Sequence, residues 1–178
     1  MTTPTDDLAT TIREKTTVLD ALPLAATAKL LCRASTKELQ FDPEHLVLYS
    51  STPPSETTAR YLYALAKSAQ DGAYALACSS ILVGTSNESD DTGDVAFWLG
   101  VGDFASASKV LEALGLSGNS VEGTELELTS ELNRALESMK GLFSFRIGMV
   151  DDSSRMVFFQ VGEIGGGWGG LVGAGVWT

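Results

Sequence analysis

The sequence is poor in the residues that metal and catalytic sites most often use. It has two cysteines and one histidine in 178 residues. Tetrahedral zinc needs several Cys and His ligands at short spacings, and Cys32, His45 and Cys78 are widely separated, so we expect no metal site. A thiolate paired with His45 is an alternative, but only Arg33, next to Cys32, provides the basic setting that lowers a thiol pKa.

Basic residues are also scarce. The chain has 12 Lys and Arg against 23 Asp and Glu, which gives a formal net charge of −11. Nucleic acids and anionic lipid head groups attract proteins through clustered Lys and Arg. We therefore expect no nucleic-acid partner and no docking on anionic membranes.

Long apolar runs and export signals are missing as well. The start, MTTPTDDLATT, has neither the basic nor the apolar region of a secretory signal. The glycine-rich end, GGGWGGLVGAGVWT, is shorter than the roughly 20 apolar residues that cross a bilayer as a helix. Both cysteines lie in apolar contexts, which predicts free thiols. These absences favour a cytoplasmic protein without a membrane span.

The acidic stretch NESDDTGD contains Glu88, Asp90, Asp91 and Asp94. These carboxylates are not at the offsets of an EF-hand, and no glutamate occupies the position of its bidentate ligand. Charge clusters of this kind are usually solvated. We therefore predict an exposed hairpin loop and no calcium site.

The rest of the composition is that of an ordinary globular protein, with 44% hydrophobic and 20% charged residues. A chain of this length buries about 70% of the surface of its unfolded form. Helical spacing comes first in the sequence and β patterns come last. We predict one α+β domain over residues 1–178, with N-terminal helices packed on a mainly antiparallel sheet that ends in a C-terminal β-meander.

Helices are predicted where apolar residues recur at helical spacing between a capping residue and a glycine or proline. The predicted helices cover residues 5–22, 24–34, 55–71, 103–114 and 129–140. Ser55 and Asp103 are the expected N-caps of the third and fourth helices. Gly72, Gly115 and Gly141 are the expected terminators of the last three helices.

Strands are predicted from short apolar or alternating runs. Residues 45–51 form one short strand, and residues 73–84 and 95–101 form an antiparallel hairpin around the acidic loop. Residues 142–150 and 155–164 form a second hairpin. Both faces of 155–164 carry apolar residues, so we expect this strand to be central in its sheet.

The glycine-rich end contains a motif that can be excluded. Gly165, Gly167 and Gly170 match the letters G-x-G-x-x-G of dinucleotide-binding sites. In such sites a helix N-terminus follows the glycines and faces the pyrophosphate. Only eight residues follow Gly170, which is too few for that helix, so we interpret the match as chance.

A strand is the better interpretation of this end. Alternation places Leu171, Gly173, Gly175 and Trp177 on one face, which is bare at its centre. Glycine inside a strand marks close approach by another group. The expected occupant is either a packed helix, or a ligand or partner protein in a groove between Trp177 and Trp168.

Other candidate residues lie on neighbouring strands. Trp98 and Phe159 are candidates for the groove wall, and Arg146 and Glu163 are charged residues among apolar neighbours. The alternative for the two charged residues is a cross-strand ion pair. The candidate ligand-binding residues are therefore Trp98, Arg146, Phe159, Glu163, Trp168, Gly173, Gly175 and Trp177.

These patterns favour a non-enzymatic binding module that engages a small apolar ligand or a partner protein through its C-terminal Gly/Trp-rich sheet, without a cofactor. One alternative is a cofactor-independent enzyme, such as an isomerase or cyclase, acting on a small hydrophobic substrate. In it, Arg146, Glu163 or His45 would supply the acid, the base or the electrostatic group. Another alternative is a structural homo-oligomer, for example a homodimer, with the same face as its interface.

Overall fold

The computed structural model describes residues 25–50, 52–75, 80–82, 93–122, 130–149 and 155–176. In chain order the elements are α1 (Ala25–Ala34), β1 (Gln40–Asp42), β2 (Val47–Tyr49), α2 (Glu56–Ala75), β3 (Val95–Gly100), α3 (Ala107–Leu114), β4 (Gly118–Glu122), α4 (Ser130–Leu136), β5 (Lys140–Met149), β6 (Arg155–Ile164) and β7 (Gly167–Val176). The predicted helix over residues 5–22 lies outside the described residues.

The strands form one seven-stranded sheet in the order β1-β2-β3-β7-β6-β5-β4. Every neighbouring pair is antiparallel except β2 and β3, which are parallel. Strands β5, β6 and β7 are consecutive in the chain and adjacent in the sheet, so they form a meander. The predicted α+β class and the C-terminal meander are confirmed.

The turn between β6 and β7 explains two of the glycines. The register pairs Ile164 with Gly167, so the loop consists of Gly165 and Gly166 alone. Both have positive φ, 61° and 79°. A two-residue hairpin loop of type I′ requires positive φ at both positions, and glycine adopts it without a steric penalty. β7 therefore begins at Gly167, four residues before Leu171, the first residue of the predicted alternation.

An aromatic cluster fills the centre of one face of the sheet. Phe145 and Phe159 lie opposite each other on β5 and β6, and their rings stack with centroids 4.6 Å apart. Phe97 of β3 meets Phe159 edge to face at 5.9 Å. All three side chains are buried. On the other face, Leu171 and Phe158 are buried too, so β6 and β7 are covered on both sides, as the central position of β6 predicts.

The helices cover the sheet and contact one another. α2 contacts β2, β3, β7 and α4, α1 contacts β3 and β7, and α3 contacts β3 and β4. The hydroxyl of Tyr61 on α2 donates to the carbonyl of Ala135 on α4, which joins these two helices. No helix in the described ranges is both long enough and apolar enough to cross a bilayer.

Two predicted helix ends are wrong. α2 continues through Gly72 to Ala75, and Gly72 is buried, so this glycine supplies close packing and does not terminate the helix. α4 ends at Leu136, whose carbonyl accepts a hydrogen bond from the amide of Met139 at 2.9 Å. That turn redirects the chain into β5, so Lys140 pairs with Glu163 in the sheet and does not extend the helix.

The caps of α3 agree with the prediction in part. Gly115 terminates the helix with a left-handed φ of 67°, as predicted. The N-cap is Ser106, whose hydroxyl accepts from the amide of Lys109. Asp103 instead forms an ion pair with Lys109 at 2.5 Å.

The predicted hairpin of residues 73–84 with 95–101 is wrong for the residues described. Residues 73–75 belong to α2. β3 pairs along one edge with β2 and along the other with β7, so neither edge is available to a further strand. Parallel pairing of β2 with β3 needs a long crossover, and α2 lies within it.

Candidate functional site

The face of β7 that holds Gly173 is occupied by the protein itself. A Cβ atom at Gly173 would collide with the carboxylate of Asp94 and the hydroxyl of Ser80. Among the described residues, the groups nearest to this position are these two side chains, so the space at Gly173 is filled from within the chain and is not an open groove. Residues 171–175 are all buried, so the centre of β7 is not an exposed contact surface.

Asp94 is the buried polar group that fills this space. Its side chain is 1% exposed and accepts hydrogen bonds from the hydroxyl of Ser80 at 2.5 Å and from the amide of Ile81 at 2.7 Å. Burial raises the pKa of Asp94 from 3.8 to about 7, against the lowering effect of these hydrogen bonds. The prediction of a solvated loop is therefore wrong for Asp94. The other three carboxylates of that stretch lie outside the described residues.

Several predicted site residues do not meet one another. Phe159 belongs to the aromatic core described above, and Gly175 is buried opposite Met156. Trp168 is half-buried, with its ring 6.4 Å from that of Phe143. Trp177 lies outside the described residues.

Arg146 and Glu163 lie apart. Arg146 is half-buried on β5 opposite Phe158, whereas the exposed Glu163 lies five positions further along β6, opposite Lys140. At about 3.3 Å per residue this separates the two positions by roughly 16 Å along the strand. The expected cross-strand ion pair between them does not form.

Trp98 lies at the end of β3, where the strand has a β-bulge. The register pairs Trp98 with Gly169 and Gly100 with Trp168, so Leu99 is an extra residue on β3. Gly100 has a positive φ of 87°, which suits glycine. The bulge bends the end of β3, and Val101, which follows the strand, is 86% exposed.

The indole of Trp98 covers the first glycines of β7. A Cβ at Gly167 would lie 2.6 Å from Cη2 of Trp98, and one at Gly169 would lie 3.2 Å from Cε3. The six-membered ring therefore rests directly on this part of the strand. Trp98 is 7% exposed. A side chain at either glycine would collide with this indole and with the backbone carbonyl of Phe97 or Gly100 on β3.

A cleft of about 390 Å³ opens beside this tryptophan, and we call it the Trp98 cleft. Its volume lies at the lower end of the range for small-molecule sites. Three segments meet there, namely the chain leading into α2, the bulged end of β3 and the β6–β7 turn. The lining residues are Thr52, Pro53, Pro54, Ser55, Thr58, Trp98, Leu99, Gly100, Val101 and Gly165.

The chemistry of the Trp98 cleft is neutral. Its polar side chains are hydroxyls and the indole, and none of its described lining residues carries a side chain that ionises near neutral pH. The hydroxyl of Ser55 donates to Thr58 Oγ1 at 3.1 Å and accepts from the amide of Thr58 at 3.3 Å, which caps α2 as predicted. The arrangement can hold an uncharged molecule but offers no acid or base.

Sequence reasoning selected one of these lining residues, Trp98, and missed the others. Pro53 and Pro54 indicated only that a helix could start after them, and Gly165 was one member of the glycine cluster. A usable signal existed, because two prolines before an N-cap place rigid apolar rings beside a helix start. That signal does not indicate which element lies opposite.

One group of possible metal ligands lies at the β1–β2 turn, and we call it the turn cluster, namely Asp42, Glu44 and His45. One ligand atom from each lies within 4.8 Å of the others. The carboxylate of Asp42 already accepts from the amide of Glu44 at 2.9 Å, and its other oxygen lies 2.8 Å from Nδ1 of His45. These bonds shape the turn, and they do not themselves indicate a metal.

Comparison with known proteins gives no match to this chain, whether by family model, by curated sequence or by solved structure. The function must therefore be argued from the geometry of the chain alone.

Proposed function

We propose that this protein is a non-enzymatic binding module that holds a small, mainly apolar ligand in the Trp98 cleft. The observation that carries the proposal is the cleft itself, whose lining includes an indole and two prolines. Binding sites for small molecules are concave and mostly apolar, with a few polar groups that fix orientation. The ligand therefore binds at the end of the Gly/Trp-rich sheet, near the end of β3 and the β6–β7 turn, and not on the face of β7.

The enzymatic alternative has less support. General acid–base catalysis requires a titratable group within hydrogen-bond reach of the substrate. The candidates for that role, Arg146, Glu163 and His45, are not among the described residues that line the cleft. A partner protein or a second copy of the chain would need a surface other than the buried centre of β7. The cytoplasmic location also stays a prediction.

The test is a binding titration with acetophenone, a neutral aromatic ketone small enough for the cleft. A ligand of this size is expected to bind in the millimolar range, which saturation-transfer NMR detects. Two variants report on location. Thr52→Trp adds bulk at the exposed rim of the cleft and should abolish saturable binding, whereas Trp168→Leu changes a tryptophan outside the cleft and should leave it intact.

Circular dichroism and thermal melts of both variants verify that they are folded. The proposal is wrong if acetophenone and related neutral aromatics fail to bind the wild type, or if binding persists unchanged in Thr52→Trp and is lost in Trp168→Leu.

A further inference from the structure

The indole N–H of Trp98 makes no hydrogen bond to another described residue. Trp98 as a whole is 7% exposed. Nε1 is not one of the fully buried side-chain atoms that lack a partner among the described residues, so the N–H is in contact with solvent. The N–H of a largely buried indole usually has an acceptor, which is either a protein group or water.

The geometry directs this donor toward the cleft. The six-membered ring rests on Gly167 and Gly169, so the five-membered ring lies toward the end of β3. Nε1 is 4.0 Å from the point where a Cβ of Gly100 would lie. Gly100 lines the cleft and has no side chain, so it leaves the space in front of the N–H open.

Charge determines what kind of acceptor fits. No lysine or arginine is among the described lining residues, so an anion would have no counter-charge there. Glu56, adjacent to the lining residue Ser55, is paired with Arg60 at 2.6 Å on the exposed surface. The whole chain carries −11, which further disfavours an anionic ligand. The acceptor is therefore an uncharged oxygen or nitrogen.

We propose that the ligand of the Trp98 cleft is an uncharged molecule with an apolar body and one hydrogen-bond acceptor, which receives the N–H of Trp98. This inference rests on the proposed function and adds the ligand class to it. The hydroxyls of Ser55 and Thr58 provide secondary polar contacts at the start of α2. The Trp98 N–H then selects between ligands of equal shape according to whether they carry an acceptor.

The test compares three ligands of similar size, namely acetophenone with a neutral acceptor, α-methylstyrene without one, and benzoate with a charge. Acetophenone should bind several-fold more tightly than α-methylstyrene, because α-methylstyrene displaces the water on the N–H without replacing its hydrogen bond. Benzoate should bind at least as weakly as α-methylstyrene. In ¹⁵N–¹H spectra the indole N–H peak that Trp98→Phe removes should move downfield with acetophenone only.

A second variant isolates the hydrogen bond. Replacing Trp98 with 3-benzothienylalanine keeps the fused ring and removes the N–H. Acetophenone should then bind as weakly as α-methylstyrene, and the affinity for α-methylstyrene should not change. The two ligands and the two proteins together form a double-mutant cycle that measures this one hydrogen bond.

The outcomes separate the two proposals. Failure of all three ligands to bind overturns the proposed function, and this inference with it. Equal binding of acetophenone and α-methylstyrene without an indole shift overturns only the inference, because the cleft then recognises shape and leaves the N–H to solvent. Tightest binding by benzoate shows that the acceptor is anionic and likewise overturns the inference.

Discussion

The buried carboxyl of Asp94 should make the protein less stable as the pH rises from about 4 to about 7. Burial raises the folded-state pKa from 3.8 to about 7, so in this window the folded state holds a proton that the unfolded state has lost. The stabilisation is complete below pH 3.8 and is lost as the pH rises through the folded pKa. At about 1.36 kcal/mol per pKa unit, the fall in the free energy of unfolding is about 4 kcal/mol.

Asp94→Asn provides the reference for this effect. Protonated Asp94 donates to Ser80 Oγ by reversing the hydrogen bond between them and still accepts from the amide of Ile81. Asparagine has the same shape, and its amide N–H can donate to Ser80 while its carbonyl accepts from Ile81. The variant should fold and should lack this pH dependence. Subtracting the free energy of unfolding of Asp94→Asn from that of the wild type also removes the pH dependence that the other carboxylates contribute to both proteins.

The assay is urea denaturation of both proteins from pH 4.5 to 8. The wild-type free energy of unfolding minus that of Asp94→Asn should fall steadily up to about pH 7 and then level off. A difference that is flat within about 0.5 kcal/mol, or that rises with pH, would refute the argument that desolvation outweighs the hydrogen bonds at this carboxyl.

The remaining predictions concern the glycine strand and the turn cluster. Gly173→Ala should cost about 1–3 kcal/mol of stability, because its Cβ overlaps the Asp94 carboxylate, whereas Gly148→Ala should cost under 1 kcal/mol, because its Cβ meets only Met156 Sδ at an ordinary 3.8 Å. Equal thermal melts for the two variants would contradict the packing described for β7. Chelation with EDTA should leave the melting temperature unchanged, because the turn cluster is held by its own hydrogen bonds; a loss of several degrees would assign a structural metal to it.

Local chemistry made the meander predictable. The alternation in β5 and β6 and the apolar residues on both faces of β6 are short-range signals that agree with one another. Gly115 ended its helix for the same reason, since a left-handed C-cap is a property of a few neighbouring residues.

The occupant of the glycine face was not predictable in the same way. Asp94 belongs to an acidic stretch whose composition predicts an exposed loop. It is nevertheless buried against Gly173, which lies 79 positions later in the chain. Nothing local distinguishes it from the neighbouring carboxylates. The deciding contact is tertiary, made by the start of β3 with Ser80 and β7.

Of the residues that line the candidate site, only Trp98 was predicted from the sequence. Trp98 was selected as an aromatic residue near the glycines, but the cleft beside it depends on three segments far apart in the sequence. The parallel pairing of β2 with β3 brings residues 52–55 next to the bulged end of β3, and no periodicity encodes that pairing.

The most direct test of the proposed site is a crystal structure of the protein soaked with acetophenone. We expect density for the ketone in the Trp98 cleft, with its oxygen about 3 Å from Nε1 of Trp98 and its ring against Pro53 and Pro54. Density for the ligand elsewhere on the protein, beside a cleft that contains only solvent, would contradict the account.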